Sequence, residues 1–310
     1  MLVEFRIKNF RSLRDEQVLS LVASTDKTLL DTHALDTGLK ASPHLLKSVV
    51  VYGANASGKS NLIKALQYMR GVVLESATLQ PGQTFDRLHP FKLDAISGNL
   101  PTEFEVTFIL DGVRYQYGFA MNTQRIVSEQ LLVYKAFKPQ RWFERHFDAE
   151  SGKDVYEFGP SLKGAKNLWE GATRPNALFL SMAVQLNSEA LRPVFDWFAN
   201  RLVIFNEQSP LSPQFSVQML KQEAQRKSIC EFLRAADISI ADIEVATKQA
   251  MMHSIRFDLA TGKREEESGE QAVDEVRFHH ITEHGKAVFD LMDESSGTRN
   301  LLFLTGPILD

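Results

Sequence analysis

The chain has 310 residues, 44% of them hydrophobic and 24% charged, with a net charge of −4. That length suits one large or two modest domains around a sizeable core, and the mild acidity excludes a global basic footprint for nucleic acid, leaving only local patches. A single cysteine, Cys230, excludes an internal disulfide framework and points to a reducing compartment. No apolar run approaches the roughly 20 residues that span a bilayer, and the N-terminus lacks the apolar centre of a signal peptide. A cytoplasmic protein is expected.

Val3, Phe5 and Ile7 alternate with Glu4, Arg6 and Lys8, which predicts a half-buried strand over residues 2–9. Phe10-Arg11-Ser12-Leu13 breaks it, and residues 16–23 return as an antiparallel partner. Residues 24–47 read as a polar, irregular loop. The β-branched run Val49-Val50-Val51 then predicts a buried strand feeding Gly53-Ala54-Asn55-Ala56-Ser57-Gly58-Lys59-Ser60, after which Asn61 and the residues to Met69 have helical periodicity. Strand, glycine loop and helix form the context that makes this pattern a P-loop. Gly53 and Gly58 allow a close backbone approach that a Cβ would block. The loop amides and the helix N-terminus face an anion. Lys59 reaches the β- and γ-phosphates and Ser60 ligates Mg2+. The chain is therefore expected to bind a nucleoside triphosphate.

The helix should continue to Leu79 and stop at Pro81-Gly82. Residues 103–110 and 113–119 form strands about Asp111-Gly112, a strong hairpin signal. With further strands over 125–134 and 141–147, an antiparallel sheet follows a parallel nucleotide-binding element. An apolar run over 176–184 ends at Gln185. Helical patterns cover 189–198, 217–236 and 240–245, and extended ones cover 251–259, 275–282 and 286–291. The Glu- and Gly-rich stretch 261–275 reads as a solvated turn or loop. Near the end, Glu294-Ser295-Ser296-Gly297-Thr298 opens an apolar helix over 301–309, a second turn able to present amides and a hydroxyl to an anion. Alone, it is equally an N-cap serine on an ordinary helix.

The Phe-Arg-Ser strand break, GANASGKS, the antiparallel sheet, an apolar strand ending in Gln185 and ESSGT before a helix occur in an order that resembles ABC-type ATPase heads of the RecF, SMC and OLD kind. More closely, the chain resembles the prokaryotic AAA-15/AAA-21 ATP-binding proteins of phage-defence loci, such as RloA-like, Septu-type and retron-associated ATPases. The resemblance implies an α/β P-loop NTPase, an ABC-type head with an antiparallel β subdomain and a short helical lobe. Its lobes would be 1–184, carrying the nucleotide, and 185–310, ending in the signature and its helix. It implies ATP and Mg2+ as ligands, with Arg11, Ser12, Asn55, Gly58, Lys59, Ser60 and Asn61 around the nucleotide. Gln185 would touch Mg2+ or the attacking water, beside the metal ligand Ser60. Ser295, Ser296 and Gly297 would meet the γ-phosphate of the opposing protomer in a homodimer.

Two features depart from that pattern. The signature carries serine where LSGGQ has its first glycine. The Walker B strand and catalytic glutamate should follow the signature helix, yet the sequence stops at Asp310; the catalytic residue is thus unknown, and the expectation is a fragment or one part of a split head, better at binding ATP than hydrolysing it. Leu202-Val203-Ile204-Phe205-Asn206-Glu207 and Val288-Phe289-Asp290-Leu291-Met292-Asp293-Glu294 imitate a Walker B out of order. Heptads sustained over many repeats are absent between Gln185 and Ser295, so a long coiled-coil tether is not expected. The resemblance further implies a nuclease or toxin effector as partner. A RecF- or SMC-like ATPase that clamps DNA and a non-hydrolysing ATP-sensing scaffold are the competing readings.

His280-Ile281-Thr282-Glu283-His284 matches the H-x-x-E-H pattern. Zinc chemistry needs both histidines one turn apart on a helix, whereas the sequence here reads as a strand entering a hairpin turn. Cys230 reads as a small core residue, and Trp142, Trp169 and Trp197 as packing residues.

Overall fold

The computed structural model describes residues 1–40, 42–136, 138–205, 213–236, 238–257 and 264–309. The chain divides into two units, Met1–Ile204 and Phe205–Asp310.

In the first unit, β1 (Leu2–Lys8) and β2 (Gln17–Ser20) pair antiparallel across the Phe10–Leu13 break. The expected irregular stretch that follows contains a one-turn helix α1 (Leu30–His33) and a small hairpin of β3 (Ala34–Asp36) and β4 (His44–Leu46). After the glycine loop comes α2 (Lys59–Glu75), closed by a 3-10 turn over Ser76–Thr78. Its buried stripe of Ala65, Leu66, Met69, Val72 and Val73 has the helical spacing that turns one face inward.

β5 (Thr102–Leu110), β6 (Val113–Met121), β7 (Ile126–Tyr134), β8 (Gln140–Asp148) and β9 (Lys153–Phe158) then run as a meander. Asp111 and Gly112 make the first turn at φ 49° and 73°, the positive values that a tight two-residue hairpin demands. The seven-stranded sheet has the order β2-β1-β5-β6-β7-β8-β9, and every neighbouring pair is antiparallel. Alternation sends Phe104, Val106, Phe108, Tyr117, Phe119, Leu131 and Phe143 into the core.

The buried strand expected at residues 49–51 is not formed. Val50 is 67% exposed, and the run pairs with no strand among the described residues. Nor do the described residues contain a parallel pair. A β-branched run becomes a strand only against a partner that accepts its amides and carbonyls.

Helices α3 (Lys166–Ala172), α4 (Phe179–Gln185) and α5 (Arg192–Asp196), with a π-helical turn over Trp197–Arg201, complete the unit. The apolar segment ending in Gln185 is thus a helix rather than a strand. The cause is non-local. The Glu129 carboxylate on β7 accepts from the Phe179 amide at 2.6 Å and the Leu180 amide at 3.0 Å, satisfying two donors at the start of α4. Glu129 also accepts from the Tyr117 hydroxyl, and Arg145 donates to the Ala177 carbonyl at 2.7 Å and to Asp154. Burial pushes the Glu129 carboxyl above its ordinary range, against the pull of Arg145, and drives Tyr117 well up. Trp197, Phe198 and Leu202 lie in this core, which moves the boundary from the expected 184/185 to 204/205.

The second unit is not purely helical. α6 (Pro213–Leu220) and α7 (Glu223–Ala235) precede β10 (Asp242–Phe257), β11 (Arg264–Thr282) and β12 (Gly285–Asp290), and α8 (Ser296–Leu309) follows. Residues 242–245, expected to be helical, begin β10, and residues 264–275, expected as a loop, lie in β11. Register is continuous from Asp242↔His279 to Phe257↔Arg264, a ribbon about 50 Å long at about 3.3 Å per residue. Its base packs Ile243, Val276 and Phe278 against Val217, Ile229, Leu233 and Leu302. Cys230 belongs to the same buried cluster.

Candidate nucleotide-binding site

Asn9 and Arg11 adopt φ 57° and 52°, which turns the chain sharply after β1. Phe10 and Leu13 close this turn with two reciprocal backbone hydrogen bonds of 2.8 Å, and the Arg11 amide donates to the His89 carbonyl at 2.7 Å. Asn9 anchors the turn from beneath. Its side-chain amide donates to the Ser97 and Leu100 carbonyls, both at 2.8 Å, and its carbonyl oxygen accepts from the Phe91 amide.

The glycine loop packs directly on this turn. Gly58 has φ 95°, and a Cβ there would stand 2.8 Å from Leu13 Cδ2 and 2.9 Å from Ser12 Oγ. The first turn of α2 is tied to the same place, because Asn61 Nδ2 donates to Ser12 Oγ at 2.7 Å. Lys59 folds back over the loop, its ammonium donating to the Gly53 and Ala54 carbonyls at 2.7 Å each. The Gly58, Lys59 and Ser60 amides donate to no backbone carbonyl among the described residues, and Asn55 and Ser60 are exposed. Free amides at a helix N-terminus, an ammonium held over them and an exposed hydroxyl at the second helical position fit a triphosphate with its magnesium ion. Lys59 and Ser60 are the residues that would hold them.

Of the residues singled out in the sequence, Ser12, Gly58, Lys59, Ser60 and Asn61 are brought together here. Arg11 is exposed beside them, with its guanidinium 5.6 Å from the centre of the Phe10 ring. Leu13 and Asn9 also belong to the arrangement; an asparagine, which tolerates positive φ, directly after the alternating strand is the signal the sequence offers for the second. Gln185 is exposed at the end of α4, whose hydrogen bonds to α2 lie at its far end, Ser181 Oγ donating to the Val73 carbonyl at 2.6 Å. Val73 is about 21 Å of helix from Lys59 at about 1.5 Å per residue, and no hydrogen bond among the described residues joins Gln185 to the loop.

Ser295, Ser296 and Gly297 belong to the second unit and start α8. Ser295 Oγ accepts from the Thr298 amide at 3.1 Å and lies 2.9 Å from the Thr298 hydroxyl, so Ser295 caps the helix. A Cβ on Gly297 would meet nothing closer than Ser295 Oγ at 3.6 Å. Among the described residues, packing does not require a glycine there. Of the two Walker B-like segments, residues 202–205 form no strand and Asn206-Glu207 lie outside the described residues. In the other, Asp293 accepts from the Asp290 amide, and Glu294 is 2.6 Å from His280 Nε2. His280 stands on β11 and His284 in the turn after it, so the H-x-x-E-H pattern does not lie on one helical face.

An exposed glycine loop at a helix N-terminus, with its lysine and serine so placed, defines a P-loop nucleotide-binding domain. The family described as "AAA domain, putative AbiEii toxin, Type IV TA system" matches residues 48–309. The chain belongs to that family, an ATPase family of AAA type associated with toxin–antitoxin systems. No curated protein matches the chain. Among the described residues no helix is long and apolar enough to cross a membrane.

Proposed function

We propose that the chain is an ABC-type ATP-binding head that pairs with a second copy around ATP and acts as a nucleotide switch for an effector in anti-phage defence. The observation that carries this reading is the presence of two helix starts able to face an anion, one at Lys59 with its glycine loop and one at Ser296 with an exposed Ser-Ser-Gly turn. Gly297 supports it, because among the described residues its missing side chain serves no contact and so suits close approach from outside.

In this reading the loop amides and Lys59 bind the triphosphate, while Ser60 holds Mg2+; Gln185, on the helix α4 that bonds to α2 about 21 Å from the loop, is left out of the site. The Ser295–Gly297 turn of the opposing copy closes over the γ-phosphate. Bound Mg·ATP supplies the charge that draws the two copies together, and its loss separates them. A ligand with different affinity for paired and separate copies shifts that equilibrium, which makes the site a switch. The effector is a nuclease or toxin, as the toxin–antitoxin context of the family suggests.

The test is the mass of the purified chain in solution with and without Mg·ATP. Wild type should double in mass. Lys59→Ala should lose one charge-assisted contact to phosphate, about 1.5–3 kcal/mol of affinity. Ser296→Glu should keep nucleotide binding and abolish pairing, since a carboxylate would face the γ-phosphate. Pairing by Ser296→Glu as strong as wild type overturns the assignment of the turn. DNA binding with a steep salt dependence would instead favour a DNA clamp.

A further inference from the structure

The histidine of the H-x-x-E-H pattern has a partner, and it is the residue next to the Ser295–Gly297 turn. Alternation along β11 places Val276, Phe278 and His280 on one face, of which Val276 and Phe278 are buried. His280 is the last of the three and reaches the point where the chain leaves β12 to begin α8. Its Nε2 lies 2.6 Å from Glu294 Oε1. A carboxylate can only accept, so in this pair the hydrogen bond is made by the His280 Nε2–H. The side chain of Glu294 is only 9% exposed, and the Phe289 ring stands edge-on to the imidazole at 5.2 Å. The contact is thus sheltered and held from two sides.

We propose that His280 is a positioning residue for the Ser295–Gly297 turn: it holds the Glu294 carboxylate against the sheet and keeps that negative charge away from an approaching phosphate. This rests on the reading above, in which the turn meets the γ-phosphate of the opposing copy. Ser295 caps α8 through the Thr298 amide independently of Glu294, so loss of the latch leaves the helix start in place and frees a carboxylate beside it. A negative charge released beside the turn opposes an approaching phosphate; a tenfold weakening of pairing corresponds to about 1.4 kcal/mol.

The experiment is ATP-dependent pairing of the full chain, read as the dimer dissociation constant in Mg·ATP. His280→Ala should weaken pairing about tenfold. Adding Glu294→Gln to that variant should restore pairing to near wild type, because the liberated charge is gone. His280→Gln, which keeps a donor toward Glu294, should stay within about threefold of wild type. A contact that merely braces the fold predicts the opposite for the double variant, which would be no better than His280→Ala. Wild-type pairing by His280→Ala, or no rescue by Glu294→Gln, overturns the proposal. Ser296→Glu run alongside separates the two failures. If it blocks pairing while His280→Ala does not, the turn meets phosphate and the latch is irrelevant; if it pairs like wild type, the reading of the turn falls and the latch falls with it.

Discussion

Gly58 is where the loop, the Asn9–Leu13 turn and α2 converge, and its replacement by alanine has a cost that follows from two distances and one angle. At φ 95° an L side chain enters the left-handed region, which costs about 1–2 kcal/mol. The added Cβ would lie 2.8 Å from Leu13 Cδ2 and 2.9 Å from Ser12 Oγ. Leu13 is buried, so it cannot swing into solvent. Ser12 can move only by giving up its 2.7 Å hydrogen bond from Asn61. Crowding of this kind costs a further 1–3 kcal/mol, about, when a packed site must shift. Gly58→Ala should therefore lose about 2–5 kcal/mol in urea unfolding, and a fluorescent ATP analogue should bind far more weakly. Gly71 is the internal control. It lies within α2 with nothing inside 4 Å of a built Cβ, so Gly71→Ala should stabilise by about 1 kcal/mol. Gly58→Ala with stability within roughly 0.5 kcal/mol of wild type and unaltered nucleotide affinity would refute the reasoning.

Glu129→Ala should destabilise by about 2–4 kcal/mol, because it leaves two buried amides of α4 and the Tyr117 hydroxyl without their acceptor while Arg145 keeps Asp154; Glu129→Gln, which keeps an acceptor, should lose less, and denaturant midpoints of the two variants decide it. Asn9→Ala should cost about 2–4 kcal/mol by removing its hydrogen bonds to the Ser97 and Leu100 carbonyls and unpairing the Phe91 amide, and should weaken nucleotide binding although residue 9 touches no ligand. Wild-type affinity in a folded Asn9→Ala protein would show that the turn does not support the loop.

The parts of the fold legible in the sequence are those decided locally. Period-2 alternation and Asp111-Gly112 located β5 and β6, and the glycine loop located the start of α2. What was misread depends on distant partners. The run from Phe179 to Val184 contains no β-branched residue before Val184, and its helical state is fixed by Glu129, which stands 50 residues away in sequence from Phe179. Val49 to Val51 has the propensity of a strand and no partner among the described residues. Arg264 to Glu275 has the composition of a solvated turn, yet pairing with β10 makes it a strand. The site divides the same way. Lys59 and Ser60 were visible as a motif, and Ser12 entered through the family resemblance. The contacts that hold the turn carrying Ser12, from Asn9 to Ser97 and Leu100 and between Phe10 and Leu13, depend on distant or backbone partners that the sequence does not show.

This division explains how a P-loop can be held where its preceding run is exposed. In the first unit the loop has support on two sides, from the helix it opens and from the turn after β1. Hydrogen bonds anchor that turn, among them the reciprocal pair between Phe10 and Leu13, the Arg11 amide to the His89 carbonyl, and those of Asn9 to Ser97 and Leu100. β1 in turn is fixed between β2 and β5. The path from the sheet to the phosphate-binding amides thus runs β1, Asn9, Ser12, Gly58, and does not pass through the valines. A turn so constrained supports a loop with little residual freedom: the positive φ at Arg11 persists because its neighbours over-determine it, whereas Gly58 takes φ 95° without penalty for want of a Cβ. The close contact between the turn and Gly58 is therefore what orders the loop, and it is the reason a single methyl group at Gly58 is the sharpest probe of the site.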